Sequence, residues 1–186
     1  MLQTPYHYKL ENSLGELRLT EEQISKLLPE LEKRINHFKK LVSLESVFWN
    51  FVDKVEKTSK LLGISEEQYL YAAFKEPQLF YQSPAKINNN IETAAAFLGI
   101  DKKTYLEKAA LKKPQLFYQS PYSVFRRVNK TAKLLGLERD QYIGAALKKP
   151  QLFYQDPKTI LRNITGGAAN LRLSKHDYVE MALRQP

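Results

Sequence analysis

Apolar residues recur along this chain at steps of three and four, and the same steps return at a fixed interval. Ile87, Ile91, Ala95 and Leu98 share one helical face. Val124, Val128, Ala132 and Leu135 take the same places one interval later, and Ile160, Ile164, Ala168 and Leu171 take them again. This is the spacing of helices that bury one side. The polar punctuation agrees with it. Ser83, Ser120 and Asp156 are N-cap residues, each followed by a proline at the first helical position, where a missing N–H costs nothing. Gly63, Gly99 and Gly136 stand where a left-handed C-cap belongs. A second helix opens at Ser65, Asp101, Glu138 or Ser174, and Ser65-Glu66-Glu67-Gln68 reads as a capping box. It buries Tyr69, Leu70, Ala73 and Phe74 or their counterparts, until Pro77, Pro114 or Pro150 stops it. The pattern predicts first helices over 84–98, 121–135 and 157–171. Second helices are predicted near 65–76, 101–113, 138–149 and 174–184, with no β-strand.

The interval is a true repeat. Lys-Glu-Pro-Gln-Leu-Phe-Tyr-Gln-Ser-Pro at 75–84 returns as KKPQLFYQSP at 112–121 and KKPQLFYQDP at 148–157, with the leading prolines 37 and 36 residues apart. Tyr69, Tyr105, Tyr142 and Tyr178 keep step, and the second copy carries one extra residue between Gly99 and Ala109. The expected fold is therefore all-α, a right- or left-handed solenoid of two-helix repeats of about 36 residues, each with a short connector turn. Its units fall near 46–83, 84–120, 121–156 and 157–186, within a single helical-repeat domain spanning 16–186. The N-terminal third is a degenerate version: Leu19 to Ile24 is a capped start, Pro29 a displaced stop, and Phe48 stands where later units have proline. Residues 1–15 are expected to be extended or loosely attached. Gly166-Gly167 interrupts a helix, read first as wear of a terminal unit and second as a point of close approach. Pro186 occupies the slot of Pro77, Pro114 and Pro150, so the chain is expected to be a piece of a longer array.

Composition adds a direction to this architecture. The net charge is +9, from 29 Lys+Arg against 20 Asp+Glu. Residues 1–63 carry 10 against 9 and residues 64–186 carry 19 against 11, so +8 of the excess lies in the second part. A basic region of this kind favours a polyanion, nucleic acid before an anionic membrane, with solubility alone as the plainer alternative. No apolar run approaches the roughly 20 residues of a membrane helix, and the N-terminus has no signal-like pattern. There are no cysteines, which excludes disulfides, Cys-ligated zinc and thiol catalysis. That names no compartment; an intracellular, monomeric protein without a cofactor is expected.

Helix, Gly turn, helix, then proline with Leu-Phe and a capped helix resembles the mitochondrial transcription termination factor family. The residues that carry the likeness are Leu98-Gly99-Ile100 with Pro114-Gln115-Leu116-Phe117, and Leu135-Gly136-Leu137 with Pro150-Gln151-Leu152-Phe153. It covers roughly residues 20–186. The resemblance implies a curved solenoid whose basic inner surface holds nucleic acid. These units are more alike than is usual in that family, and they carry Tyr and Gln where it prefers Leu.

The candidate binding residues form two rows. With the units aligned on their Gly, Lys54, Lys57 and Lys60 match Arg127, Lys130 and Lys133, and one step earlier lie Asn89, Arg126 and Arg162. Residues three apart share a helix face, so stacked units would line up these cations for phosphates. The bland alternative is a solvated face. Lys75, Lys112, Lys113, Lys148 and Lys149 form a second row before the prolines; helix-dipole complementation explains them, and the rim of a phosphate track is the other use. The Phe80-Tyr81, Phe117-Tyr118 and Phe153-Tyr154 pairs read as packing before base stacking. Gln78, Gln115 and Gln151, with Gln82, Gln119 and Gln155, read as partners for kink backbone. His7, His37 and His176 do not cluster, no metal spacing or phosphate-cradling loop is present, and no catalytic site is expected. The expected function is non-enzymatic binding of DNA or RNA; the alternative is a helical-repeat scaffold for a protein or peptide.

Overall fold

The computed structural model describes residues 51–184 and, ahead of them, 20–22, 24–25 and 29. Residues 1–15, Phe48, His7, His37 and Pro186 lie outside the described residues, and Pro29 is itself helical rather than a stop. The described chain is all-α, with no strand among its residues. Eight α-helices follow one another: α1 Phe51–Leu62, α2 Glu66–Lys75, α3 Pro84–Leu98, α4 Lys102–Tyr105, α5 Pro121–Leu135, α6 Arg139–Lys148, α7 Pro157–Asn170 and α8 Lys175–Arg184. Short 3₁₀ turns, Pro77–Tyr81, Pro114–Phe117 and Pro150–Phe153, form the connectors. The chain divides into two compact units, 1–89 and 90–186, with the division inside α3.

In the first unit α1 packs on α2, and α2 on its connector. In the second, α5 packs on both α6 and α7, and α7 on α8. The cores are those that the periodicity selects. Ile87, Ile91, Ala95 and Leu98 are buried, as are Val124, Val128, Ala132 and Leu135. Each such Leu, Ile or Val contributes roughly 1.5–3 kcal/mol of transfer free energy on burial. In α7 the face thins: Ile160 and Ala168 are buried, but Leu171 is 55% exposed, outside the end of the helix.

Caps fix the helix ends. Ser65 accepts from the Gln68 amide at 3.1 Å while Gln68 Oε1 accepts from the Ser65 amide at 3.0 Å, the reciprocal box the sequence predicts. Asp101 and Asp156 accept amides of the following turn. Ser120 does not: its backbone takes the cap conformation, but its side chain makes no capping bond. After each first helix the chain turns through a left-handed residue, at φ +70° for Gly63 and +72° for Gly99 and Gly136. The amide of Leu137 then reaches back to Ala132 O at 3.0 Å. The fourth unit makes the same turn with Arg172 at φ +55°, and Leu173 N reaches Ala168 O at 2.9 Å. A side chain sits where the other units use glycine.

Two further departures have a visible cause. The extra residue of the second repeat widens the backbone after α4 into a π turn, Leu106–Ala110, with Leu111 N bonded to Leu106 O at 2.9 Å. The helix absorbs an insertion this way while Leu106, Ala109 and Ala110 stay buried. Gly166 and Gly167 do not break α7, and Gly167 is a point of close approach. A Cβ there would stand 2.5 Å from Tyr178 Cζ.

The repeated tyrosine shows what the insertion costs. Tyr69 donates to Leu79 O at 3.2 Å and Tyr142 to Leu152 O at 2.9 Å, each closing its own connector. Burial pushes both hydroxyls up to about 12, partly offset by bonding to Thr58 and Thr131 respectively. Tyr105 is buried too, but its hydroxyl has no partner among the described residues. The equivalent of Thr58 and Thr131 is Ala94, and the connector carbonyl is displaced by one residue. Its ring meets Phe153 edge-on at 5.6 Å.

Tyr69→Phe and Tyr142→Phe should therefore each lower stability by about 1 kcal/mol, the worth of a buried hydrogen bond. Tyr105→Phe should be neutral or stabilising, as read by urea denaturation. The left-handed turns give a second expectation. Gly136→Ala should cost about 1–2 kcal/mol and Arg172→Gly should raise stability by about 1 kcal/mol, because a Cβ is disfavoured at positive φ. Equal midpoints for Arg172→Gly and the parent chain would show that the turn carries no strain.

Candidate nucleic-acid interface

The residues of the first basic row divide between cations engaged within the fold and cations left exposed. Lys54 is half-buried, and its ammonium donates to Phe80 O at 3.0 Å, a connector carbonyl 26 residues ahead. Asn90, at the same place in the next repeat, donates to Phe117 O at 3.1 Å. This position lies one step round the helix from the solvent face, so the connector captures it. Arg127 also sits there, half-buried, with Nη1 donating to Gln119 Oε1 at 3.2 Å. Gln119, expected on backbone, is thus a side-chain partner instead.

Lys57 and Lys60 are exposed on α1. Lys57 is held at 2.8 Å by Asp53, which occupies the place that Arg126 and Arg162 take in later repeats. Asn89 is exposed on α3, beside the acidic Glu92. The α1 and α3 faces are thus mixed in sign or polar.

α5 and α7 differ. α5 carries Arg126, Arg127, Lys130 and Lys133 and contains no Asp or Glu; α7 carries Lys158 and Arg162 and likewise has no acid. At about 100° per residue, Tyr122, Arg126, Lys130 and Lys133 fall within about 80° of arc and span about 16 Å. The buried Val124, Val128, Thr131, Ala132 and Leu135 occupy the other side of that helix. All four outward residues are exposed, and none has an ion-pair or hydrogen-bond partner among the described residues. Arg126 and Lys130 are an uncompensated like-charge pair at i,i+4, which costs a few tenths of a kcal/mol. α7 packs against α5 and repeats the motif with exposed Lys158 and Arg162 at the places of Tyr122 and Arg126. Neither Tyr122 nor Lys158 stood out in the sequence, although their four-residue spacing to Arg126 and Arg162 was there to be read.

Other cations are held by backbone. Arg139, at the start of α6, donates to Phe97 O near the end of α3, and its guanidinium lies 5.3 Å from the Phe125 ring. Lys175, at the start of α8, donates to Leu134 O near the end of α5 at 3.2 Å. One repeat thus clamps the helix end of the repeat before it, where the dipole is negative. Of the pre-proline lysines, Lys112, Lys148 and Lys149 are exposed and Lys113 is half-buried. Lys75 lies 4.1 Å over the Tyr71 ring. Phe117 and Phe153 are fully buried, so these connector phenylalanines are core and not stacking platforms. His176 is exposed, 3.9 Å from Asp177. No helix among the described residues is long and apolar enough to cross a membrane.

Comparison with family models, curated proteins and solved structures returned no match.

The split between clamped and free cations has a measurable consequence. Lys54→Ala should lower stability by about 1 kcal/mol, because a half-buried carbonyl loses a charge-assisted donor. Lys60→Ala should change it by less than about 0.5 kcal/mol. Equal thermal midpoints for the two variants would mean that the Phe80 carbonyl is as well served by water.

Proposed function

We propose that this chain is a non-enzymatic binding module, a solenoid of two-helix repeats like that of the mitochondrial transcription termination factors, which holds the phosphate backbone of nucleic acid. The contact surface is the outward face of α5 and α7. Arg126, Lys130, Lys133, Lys158 and Arg162 make the backbone contacts, and Lys112, Lys113, Lys148 and Lys149 form a secondary set. Lys54 and Arg127 act in the fold, and Lys57 is largely neutralised by Asp53.

The observation that supports this most is the absence of carboxylates from the two helices. On α1 and α4, by contrast, surface lysines have acidic partners, Lys57 with Asp53 and Lys102 with Glu92 at 3.0 Å. A face kept only for solubility has no need to leave like charges stacked along one helix. A polyanion relieves that repulsion and releases its own counterions on binding. The repeated clamps of Arg139 and Lys175 support the stacking of units on which the solenoid reading depends.

The test is salt-dependent binding to single- and double-stranded DNA and RNA. Replacing Arg126, Lys130, Lys133 and Arg162 with Gln should flatten the slope of log K against log salt by roughly three units, at about 0.7–0.9 per lost phosphate contact. Circular dichroism should be unchanged. The corresponding Glu variant should lose binding altogether. A Glu variant that binds like wild type would make the face a solvation surface and turn attention to the pre-proline lysines. A wild-type chain that binds no nucleic acid at low salt would end the proposal in favour of a scaffold for a protein or peptide.

A further inference from the structure

The α5 face carries more than charge. Tyr122 is 62% exposed, the most exposed large apolar or aromatic side chain among the described residues. It stands one helical turn before Arg126, on the same narrow arc as Lys130 and Lys133. Of the other exposed aromatics, Tyr71 has Lys75 over its ring and Phe97 packs on Phe125 at 5.6 Å. Tyr122 has no ring, cation or hydrogen-bond partner among the described residues. An aromatic ring left bare in line with three free cations is a feature that phosphate binding alone does not call for.

We infer that the nucleic acid held by this face is single-stranded, and that Tyr122 is a platform on which one base stacks. This rests on the proposed function. In a duplex the phosphates face outward while the bases stack on each other, so a ring on the contact surface finds only backbone and groove edges. In a single strand the bases turn out and stack on exposed aromatic side chains, while the backbone follows the adjacent cations. The order along α5 fits this division of labour, with the ring at one end and Arg126, Lys130 and Lys133 leading away from it. The platform is single within this face, because the next repeat has Lys158 at the same place and the preceding repeat has Ala85. One base is therefore gripped, with little preference among bases, since every base offers a π face.

Fluorescence anisotropy with three probes of equal length tests the inference: an oligothymidylate strand, its duplex with oligoadenylate, and an abasic strand of the same phosphate backbone. Wild type should bind oligothymidylate on the order of tenfold more tightly than the abasic strand, the scale of one stacked base, and more tightly than the duplex. Tyr122→Ala should bring oligothymidylate down to the abasic level, leaving abasic binding, the salt slope and the circular dichroism spectrum unchanged. Tyr122→Phe should retain the wild-type preference, because the ring and not the hydroxyl carries it. Equal wild-type affinity for the thymidylate and abasic strands, or for strand and duplex, would overturn the inference, as would a Tyr122→Ala variant that binds like wild type. In those cases the electrostatic reading stands if the Gln variants still lose salt dependence. Failure to bind any of the three probes would remove both.

Discussion

Every helix ends with carbonyl groups that its own backbone cannot satisfy, and this fold depends on how they are met. The repeats end their second helices at proline, so such ends recur every 36 or 37 residues. Tyr69 and Tyr142 close the leucine carbonyl of their connectors, Lys54 and Asn90 close the phenylalanine carbonyl, and Arg139 and Lys175 close the ends of first helices in the preceding repeat. The left-handed turns take up further carbonyls through amides. Side chains that would elsewhere be surface are thereby committed to the backbone. The similarity of the repeats follows, because each must solve the same problem.

That commitment also sorts the charge. A sequence with a net charge of +9 contains many cations, but those that the backbone or a carboxylate has taken are poorly placed to meet a ligand. Lys60 and Lys86 also stand free, but on helices that carry acids; α5 and α7 combine outward cations that have no partner among the described residues with a helix that contains no carboxylate. The candidate surface is thus defined by subtraction: it is where the fold has no use for the charge and no acid to offset it.

Strain gathers where the repeats differ. The insertion in the second copy is absorbed by a π turn, at the cost of a tyrosine hydroxyl with no partner among the described residues. The fourth copy keeps the left-handed turn without its glycine, at Arg172. Gly167 stands where two other repeats have threonine, and the space is used by the Tyr178 ring. Each departure keeps the backbone path and alters one side-chain contact, as expected when close packing permits few other paths.

Local chemistry was legible in the sequence. The helix limits, the proline connectors, the three glycine turns and the Ser65 capping box rest on interactions within a few residues, so residue types and spacing determined them. The buried faces of α3 and α5 followed from periodicity alone. Arg172 was not legible, because nothing about arginine signals a left-handed turn; only its place in the repeat does. Which cations remain free could not be read from spacing either. Lys54 and Lys57 look equivalent in the sequence, three residues apart on one helix. Packing brings Phe80 O, 26 residues away in sequence, to one of them and leaves the other beside Asp53. Lys130 and Lys133 have the same spacing and neither constraint, because α5 has no acid and its connector contact falls to Arg127. Sequence determined how many charges there are and how they are spaced. Tertiary structure decided which of them the backbone consumes, because that depends on distances between residues far apart in the chain.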